Sequence, residues 1–157
     1  IKDKDNIVGF KIPFKNHFLG RWIKHCGWYP DYHLRLFKRE SGDFGDNIVH
    51  ESVEIDGNIK KLNEHIEHYI YKSIYQFIDK TQYYTTVAAK EMYENKRNFK
   101  IIDIIIRPLW RFMKMFFLKR GYKDGIYGFI LSSLYMLYGL IKYTKLWEAH
   151  LKDGKNE

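Results

Sequence analysis

The sequence predicts an α+β chain in which a few short strands precede a mainly α-helical C-terminal region. Three observations predict it. The N-terminal part alternates short apolar or β-branched runs with turn dipeptides. From about Asn63 the apolar spacing becomes helical and stays so. The charge divides in a similar way: residues 1–95 hold 14 Lys+Arg and 14 Asp+Glu, whereas residues 96–157 hold 13 and 5.

Taken in order, strands are expected at Ile7–Phe14, His33–Arg39 and Ser52–Asp56, with turns at Ser41-Gly42 and Asp56-Gly57. A helical turn is expected over Phe18–His25, ending at Gly27. Helices follow across Tyr71–Asn95, after Pro108, whose missing N–H suits a first helical position, and from about Asp124 to Lys152. The predicted division is a mixed α/β portion over residues 1–70 and a helical, basic, aromatic portion over 71–157.

With 157 residues, 45% hydrophobic and three prolines, the chain has material for a core and too much apolar content for a disordered tail. A single cysteine, Cys26, excludes an internal disulfide framework and suits a reducing compartment. The first residue is Ile1 and no signal peptide follows, as expected of a piece of a longer protein.

All of the net charge of +8 lies in the C-terminal part, so its setting matters more than its size. In Arg107–Arg120 (RPLWRFMKMFFLKR), Arg107, Arg111 and Lys114 stack on one helix face. Large apolar side chains cover most of the rest, as in helices that lie in a bilayer interface. Trp110, Arg111, Lys114, Phe117, Lys119 and Arg120 are the expected contacts with an anionic membrane surface. A helix packed on its own domain with a solvated basic edge fits the same pattern. The uncharged run Ile126–Ile141 reaches roughly 24 Å at helical rise, short of a roughly 30 Å hydrocarbon core, so a full span is not expected. A shallow interfacial helix, a packed hairpin or a contact with a second copy of the chain stay open. Nucleic-acid binding is not expected: basic and aromatic residues alternate at helical period, without an RNP, zinc-finger or OB pattern.

Chemistry concentrates in the neutral part, where six of the seven histidines precede residue 70. His65 and His68, three apart in HIEHY, would share a helix face. Without H-E-x-x-H or a second cysteine, they make no structural zinc site. His50 and Glu51 sit on an extended segment and point to opposite faces. Glu51 is a candidate general base, because partial burial raises a carboxyl pKa toward the working range. Gly27-Trp28-Tyr29-Pro30-Asp31 forms an aromatic loop that suits either a sugar-stacking wall or a core plug.

Four blocks carry a resemblance: FLGRWIKHCGWYPDYHLRLFKR (Phe18–Arg39), IVHESVEIDG (Ile48–Gly57), HYIYKSIYQFIDKTQYYT (His68–Thr85) and KRGYKDGIYGF (Lys119–Phe129). In this order they resemble the C-terminal half of bacterial family 2 glycosyltransferases, and within these the lipopolysaccharide-core β-glucosyltransferases. The similarity runs over about Ile7–Trp147. It implies the C-terminal part of a GT-A domain and a metal-dependent (Mg or Mn) inverting transfer from a nucleotide sugar, expected to be a UDP-sugar, to a lipid-linked or lipopolysaccharide-core saccharide. The implied location is the inner face of the cytoplasmic membrane, peripherally bound. The resemblance makes Glu51 the general base and His68 a metal ligand. It places His50, Trp28, Tyr29, Asp31 and Arg35 at the acceptor or donor sugar. The family's nucleotide-binding half with its D-x-D motif has no counterpart here, since Asp3-Lys4-Asp5 precedes the first strand and reads as linker charge. The chain alone is therefore expected to hold neither donor nor metal and to be inactive. The competing reading is a non-enzymatic, membrane-associated or self-associating helical module.

Overall fold

The computed structural model describes residues 7–38, 42–44, 53–55 and 57–153. The predicted α+β class is what the chain adopts. Strand β1 (Ile7–Phe18) is the axis of a five-stranded mixed sheet. It pairs antiparallel with β2 (Arg21–Trp22) and β3 (Asp31–Phe37), and two later strands lie parallel to it, as set out below. A separate ribbon joins β4 (Gly42–Phe44) to β5 (Val53–Ile55). The parallel strands are β6 (Asn58–Lys61) and β7 (Ile66–Tyr71), which run along successive halves of β1. Paired on both edges, β1 buries Ile12, Phe14, Asn16 and Phe18 on one face and Pro13 on the other.

Two expectations are corrected here. Phe18–His25 is not a helical turn: β1 runs on to Phe18 and folds back through Leu19-Gly20, both at positive φ, into β2. The helical reading from Asn63 fails as well. Ile66–Tyr71 holds two tyrosines and two isoleucines, all β-favouring, and the free edge of β1 accepts it as a strand. His65 and His68 therefore do not share a helix face.

Helix α1 (Ile74–Glu94) starts on a paired cap. The Ser73 hydroxyl accepts from the Gln76 amide at 3.1 Å, and the Gln76 side chain accepts from the Lys72 amide at 2.8 Å. Helix α2 (Ile101–Met113) begins seven residues before Pro108, so the proline is an interior residue rather than the first. Pro108 packs against Gly139 of the last helix, where an added Cβ would lie 3.5 Å away. A π-turn over Lys114–Leu118 and a 3₁₀ turn over Gly121–Asp124 lead into α3 (Ile126–Asp153).

The core forms where one sheet face meets these helices. Phe18, Ile23, Cys26, Trp28, Met115 and Leu131 are buried together, with Tyr71, Ile130, Leu134 and Tyr135 packed on them. A second cluster of Ala89, Tyr143 and Leu146 joins α1 to α3. Lys145 ties the same pair of helices, its ammonium lying 2.7–2.9 Å from the Gln82 carbonyl, the Gln82 side chain and the Thr85 and Thr86 hydroxyls.

The turn between α2 and α3 is fixed by contacts with residues a hundred positions earlier. The buried Asp124 carboxylate accepts from the His25 amide at 2.8 Å and from the His25 ring at 3.1 Å. Gly121 and Gly128 meet backbone to backbone: a Cβ on Gly128 would lie 1.9 Å from the Gly121 carbonyl oxygen. A Cβ on Gly121 would lie 2.6 Å from Cys26 Sγ. The glycines of the KRGYKDGIYGF block thus seat the start of α3 against the Cys26 loop.

Candidate functional site

The alternation of β1 places Phe14 and Asn16 on one sheet face, and the register brings Asp31, His33 and His68 to the same face. Asn16 is 2% exposed and organises the group. Its amide nitrogen donates to the Trp28 carbonyl at 3.1 Å and to Asp31 Oδ2 at 2.9 Å. Both partners are acceptors only, so the amide oxygen is the atom that faces His68 Nδ1 at 2.9 Å. The proton of His68 therefore sits on Nδ1, and the Nε2 lone pair is left for another donor.

The imidazole of His68 is held below its ordinary range, first by desolvation and then by neighbouring His33. Both causes favour the neutral ring that the Asn16 bond selects. The Asp31 carboxylate also lies 3.0 Å from His33 Nε2. Rings of His33 and His68 cover Phe14 with centroid separations of 4.6 and 4.9 Å, and the Arg35 guanidinium lies 5.2 Å from the Phe14 ring centre. The result is a half-exposed patch with a neutral base, a carboxylate and a guanidinium on a rigid sheet. Such a set can accept from and donate to the hydroxyls of a saccharide.

Of the residues singled out in the sequence, Asp31, Arg35 and His68 come together here. The aromatic loop splits its rings. Trp28 is 8% exposed and turns inward against Phe18, Tyr71 and Tyr135. Tyr29 turns to the opposite sheet face, edge-on to Trp22 at 5.2 Å. His50 and Glu51 lie outside the described residues, as does the Asp3-Lys4-Asp5 stretch. Among the described residues no group of three or more His, Cys, Asp or Glu side chains is placed to hold a metal ion, so His68 has no co-ligands there.

The opposite sheet face carries its own polar set. Glu67 accepts from Lys15 at 3.0 Å and lies 2.5 Å from His17 Nε2. Both bonds hold its carboxyl below the usual range. His17 Nδ1 and Trp22 Nε1 are buried there without a hydrogen-bond partner among the described residues.

The basic helix is oriented by its neighbours. Asp103, 3% exposed, pairs with Arg107 and, at 3.4 Å, with Arg97, which turns the polar side of α2 inward. Consequently Ile102, Ile105, Ile106, Leu109, Trp110 and Met113 form an outward stripe, each between 46% and 58% exposed. A soluble helix ordinarily buries this side. On the inward side a cleft of about 660 Å³ opens between α2 and α3. Trp110, Arg111, Lys114 and Lys119 line it, together with Trp28, whereas Phe117 and Arg120 do not. Phe117 lies instead among the rings of Phe112 and Phe116.

Asn16 was missed in the sequence. The signal was a polar residue at an inward position between Phe14 and Phe18. Lys142 was missed because only the packing of α3 on α2 brings it beside Arg107, Arg111 and Lys114.

The chain is similar to curated glycosyltransferases. It is 29% identical over 128 residues to an uncharacterised glycosyltransferase of Rickettsia conorii, covering 76% of this chain and 45% of that protein. The same identity holds over 129 residues for an uncharacterised glycosyltransferase of Rickettsia typhi, covering 76% and 44%. The lipopolysaccharide core biosynthesis glycosyltransferase LpsC of Rhizobium meliloti is 23% identical over 153 residues, covering 93% of this chain and 55% of that protein. The chain spans about half the length of the curated relatives it matches. No family model matches it, and no solved structure does.

By length and composition α3 is able to cross a membrane, its apolar residues lying in the first part of Ile126–Lys152. The uncharged run understates this helix, which at 28 residues is about 42 Å long. Core helices pass the same test, and α1 and α2 occupy two of its sides.

Proposed function

We propose that the chain is the acceptor-side, membrane-associating part of a family 2, GT-A type glycosyltransferase. The observation that carries this reading is the similarity to glycosyltransferases across most of the chain. In this reading the enzyme moves a hexose, with inversion, from a nucleotide sugar of the UDP type to a lipid-linked or lipopolysaccharide-core saccharide. Asp31, Arg35 and neutral His68 hold acceptor hydroxyls on the rigid sheet face. Glu51 takes the proton of the attacking hydroxyl; the oxygen forms the new bond to the anomeric carbon as the nucleoside diphosphate leaves. The described residues supply no complete ligand set for Mg²⁺ or Mn²⁺. The proposal accordingly assigns metal and donor to the part of such an enzyme that lies beyond these residues, and expects no transfer by this chain alone.

The outward stripe of α2 supports peripheral attachment to the inner face of the cytoplasmic membrane, with Trp110 and Met113 entering the interface and Arg111, Lys114, Lys119 and Arg120 near the headgroups. The same stripe favours a second reading, a self-associating helical module without catalysis. Glu51→Gln in the full-length protein separates the two. Transfer is expected to vanish while donor binding stays, and retained turnover removes Glu51 from the role of base.

A further inference from the structure

The cleft between α2 and α3 has a composition that membrane attachment alone does not require. Five cationic side chains line it: Arg107, Arg111, Lys114, Lys119 and Lys142. Its described lining holds no carboxylate. Arg107 is compensated by Asp103, but Arg111, Lys114, Lys119 and Lys142 make no ion pair with any described residue. Four like charges converging on one cavity repel one another, and an anion in the cavity relieves that repulsion.

The cations are also held in place. Arg111 lies 5.0 Å from the Tyr135 ring centre and Lys142 lies 4.6 Å from that of Tyr143. The stem of Lys119 runs along Gly27, and its carbonyl accepts from the Cys26 amide at 3.0 Å. Burial keeps the phenols of Tyr135 and Tyr138 above their ordinary range, so they face the cavity as neutral hydroxyls. Fixed guanidinium, ammonium and phenol donors around an acid-free cavity match a phosphate group, which offers several acceptor oxygens and up to two charges.

The mouth of the cleft indicates where that phosphate comes from. Ile106 and Trp110 line the cleft and also belong to the outward stripe of α2, at 52% and 58% exposure. A ligand with its phosphate among the cations thus has apolar surface next to it, running from Ile102 to Met113. We infer that the cleft binds the phosphate of a membrane-lipid headgroup whose acyl chains lie along the α2 stripe. This inference rests on the membrane reading above and adds a stoichiometric headgroup site to it.

The test measures partitioning of the chain onto phosphatidylcholine vesicles that contain either phosphatidate or phosphatidylglycerol, matched for total charge. Phosphatidate presents a terminal phosphomonoester, able to enter the cleft, whereas phosphatidylglycerol hides its phosphate under glycerol. The chain is expected to prefer phosphatidate by on the order of tenfold, the scale of one well-made charge-assisted contact. The R111Q/K114Q/K142Q variant is expected to lose that preference. The R120Q/K123Q/K152Q variant, which removes the same charge outside the cleft, is expected to keep it while binding all anionic vesicles more weakly. Thermal melts of both variants establish that they fold.

Equal binding of the two lipids, or equal loss of preference in the two variants, overturns the headgroup site and leaves the membrane reading standing. Absence of binding to every vesicle overturns the membrane reading and the site with it. Inorganic pyrophosphate, followed by isothermal titration calorimetry, separates the phosphate sources. Pyrophosphate that competes with phosphatidate vesicles supports the site, and pyrophosphate binding without any lipid preference overturns the lipid assignment.

Discussion

Replacing Gly128 with Ala tests how the helices are seated against the sheet. Gly128 lies inside α3, where intrinsic propensity alone favours alanine by about 1 kcal/mol. The structure predicts the opposite sign. The added Cβ would sit 1.9 Å from the Gly121 carbonyl oxygen and 2.8 Å from its carbon, both backbone atoms that no rotamer change can move. Relief needs α3 to slide away from the 3₁₀ turn by on the order of 1 Å, which disturbs the Asp124 bonds to His25 and the floor of the cleft. Overpacking of this kind costs about 1–3 kcal/mol. After the propensity gain, a net loss of up to about 2 kcal/mol is expected, a fall in Tm of up to about 8 °C for a chain of this size, and a deficit of about 1–3 kcal/mol against a glycine-to-alanine change elsewhere in the helix that meets no backbone. Gly139→Ala is the internal control. It lies in the same helix, but its Cβ would meet Pro108 at 3.5 Å, ordinary contact, so it should be neutral or slightly stabilising. Thermal and denaturant unfolding of both variants reads the difference. A Gly128→Ala protein as stable as Gly139→Ala refutes the backbone contact between Gly121 and Gly128.

Three further outcomes follow from the described geometry. Asn16→Ala strands the Trp28 carbonyl and releases the His68 ring, so it should cost about 1–3 kcal/mol, and nitrogen NMR shifts of His68 should move away from the Nδ1–H tautomer. Lys145→Met removes an ammonium bonded to four oxygens of α1 and should cost about 1–2 kcal/mol in a denaturant melt, with the overall helix content retained. His68 has a folded pKa below its unfolded value near 6.5, so the stability tied to its neutral ring is present above that value and lost as pH falls through the folded value. Melts between about pH 7.5 and about pH 5 should therefore show a smaller fall in Tm for His68→Gln than for the parent.

The sequence made the α+β class and the long helices legible because those signals are local. The long periodic stretches state α1 and α3 without reference to the rest of the chain. Strand β7 was illegible for the complementary reason. Ile66–Tyr71 is too short to declare a period, and its conformation comes from the unpaired edge of β1, fifty residues earlier. The orientation of α2 was half legible. Its two-sided pattern shows in the sequence, but the buried Asp103 and the packing of Pro108 on Gly139 decide that the apolar side faces out. In the candidate site, Asp31, Arg35 and His68 were found as polar residues in a neutral region. Their hub, Asn16, emerged only from strand register. Trp28 and Tyr29, adjacent in sequence, were read together as either a sugar-stacking wall or a core plug, yet they part: Trp28 enters the core and Tyr29 packs on Trp22.

If the Asn16-organised sheet face serves the acceptor, substitutions there weaken acceptor binding and leave the donor untouched. Steady-state release of nucleoside diphosphate by the full-length protein, with donor and acceptor varied separately, tests it most directly. For His68→Ala the acceptor KM is expected to rise by about tenfold or more, the loss of roughly one good hydrogen bond to the ligand, with donor KM unchanged. An unchanged acceptor KM, or a change confined to the donor, would contradict it.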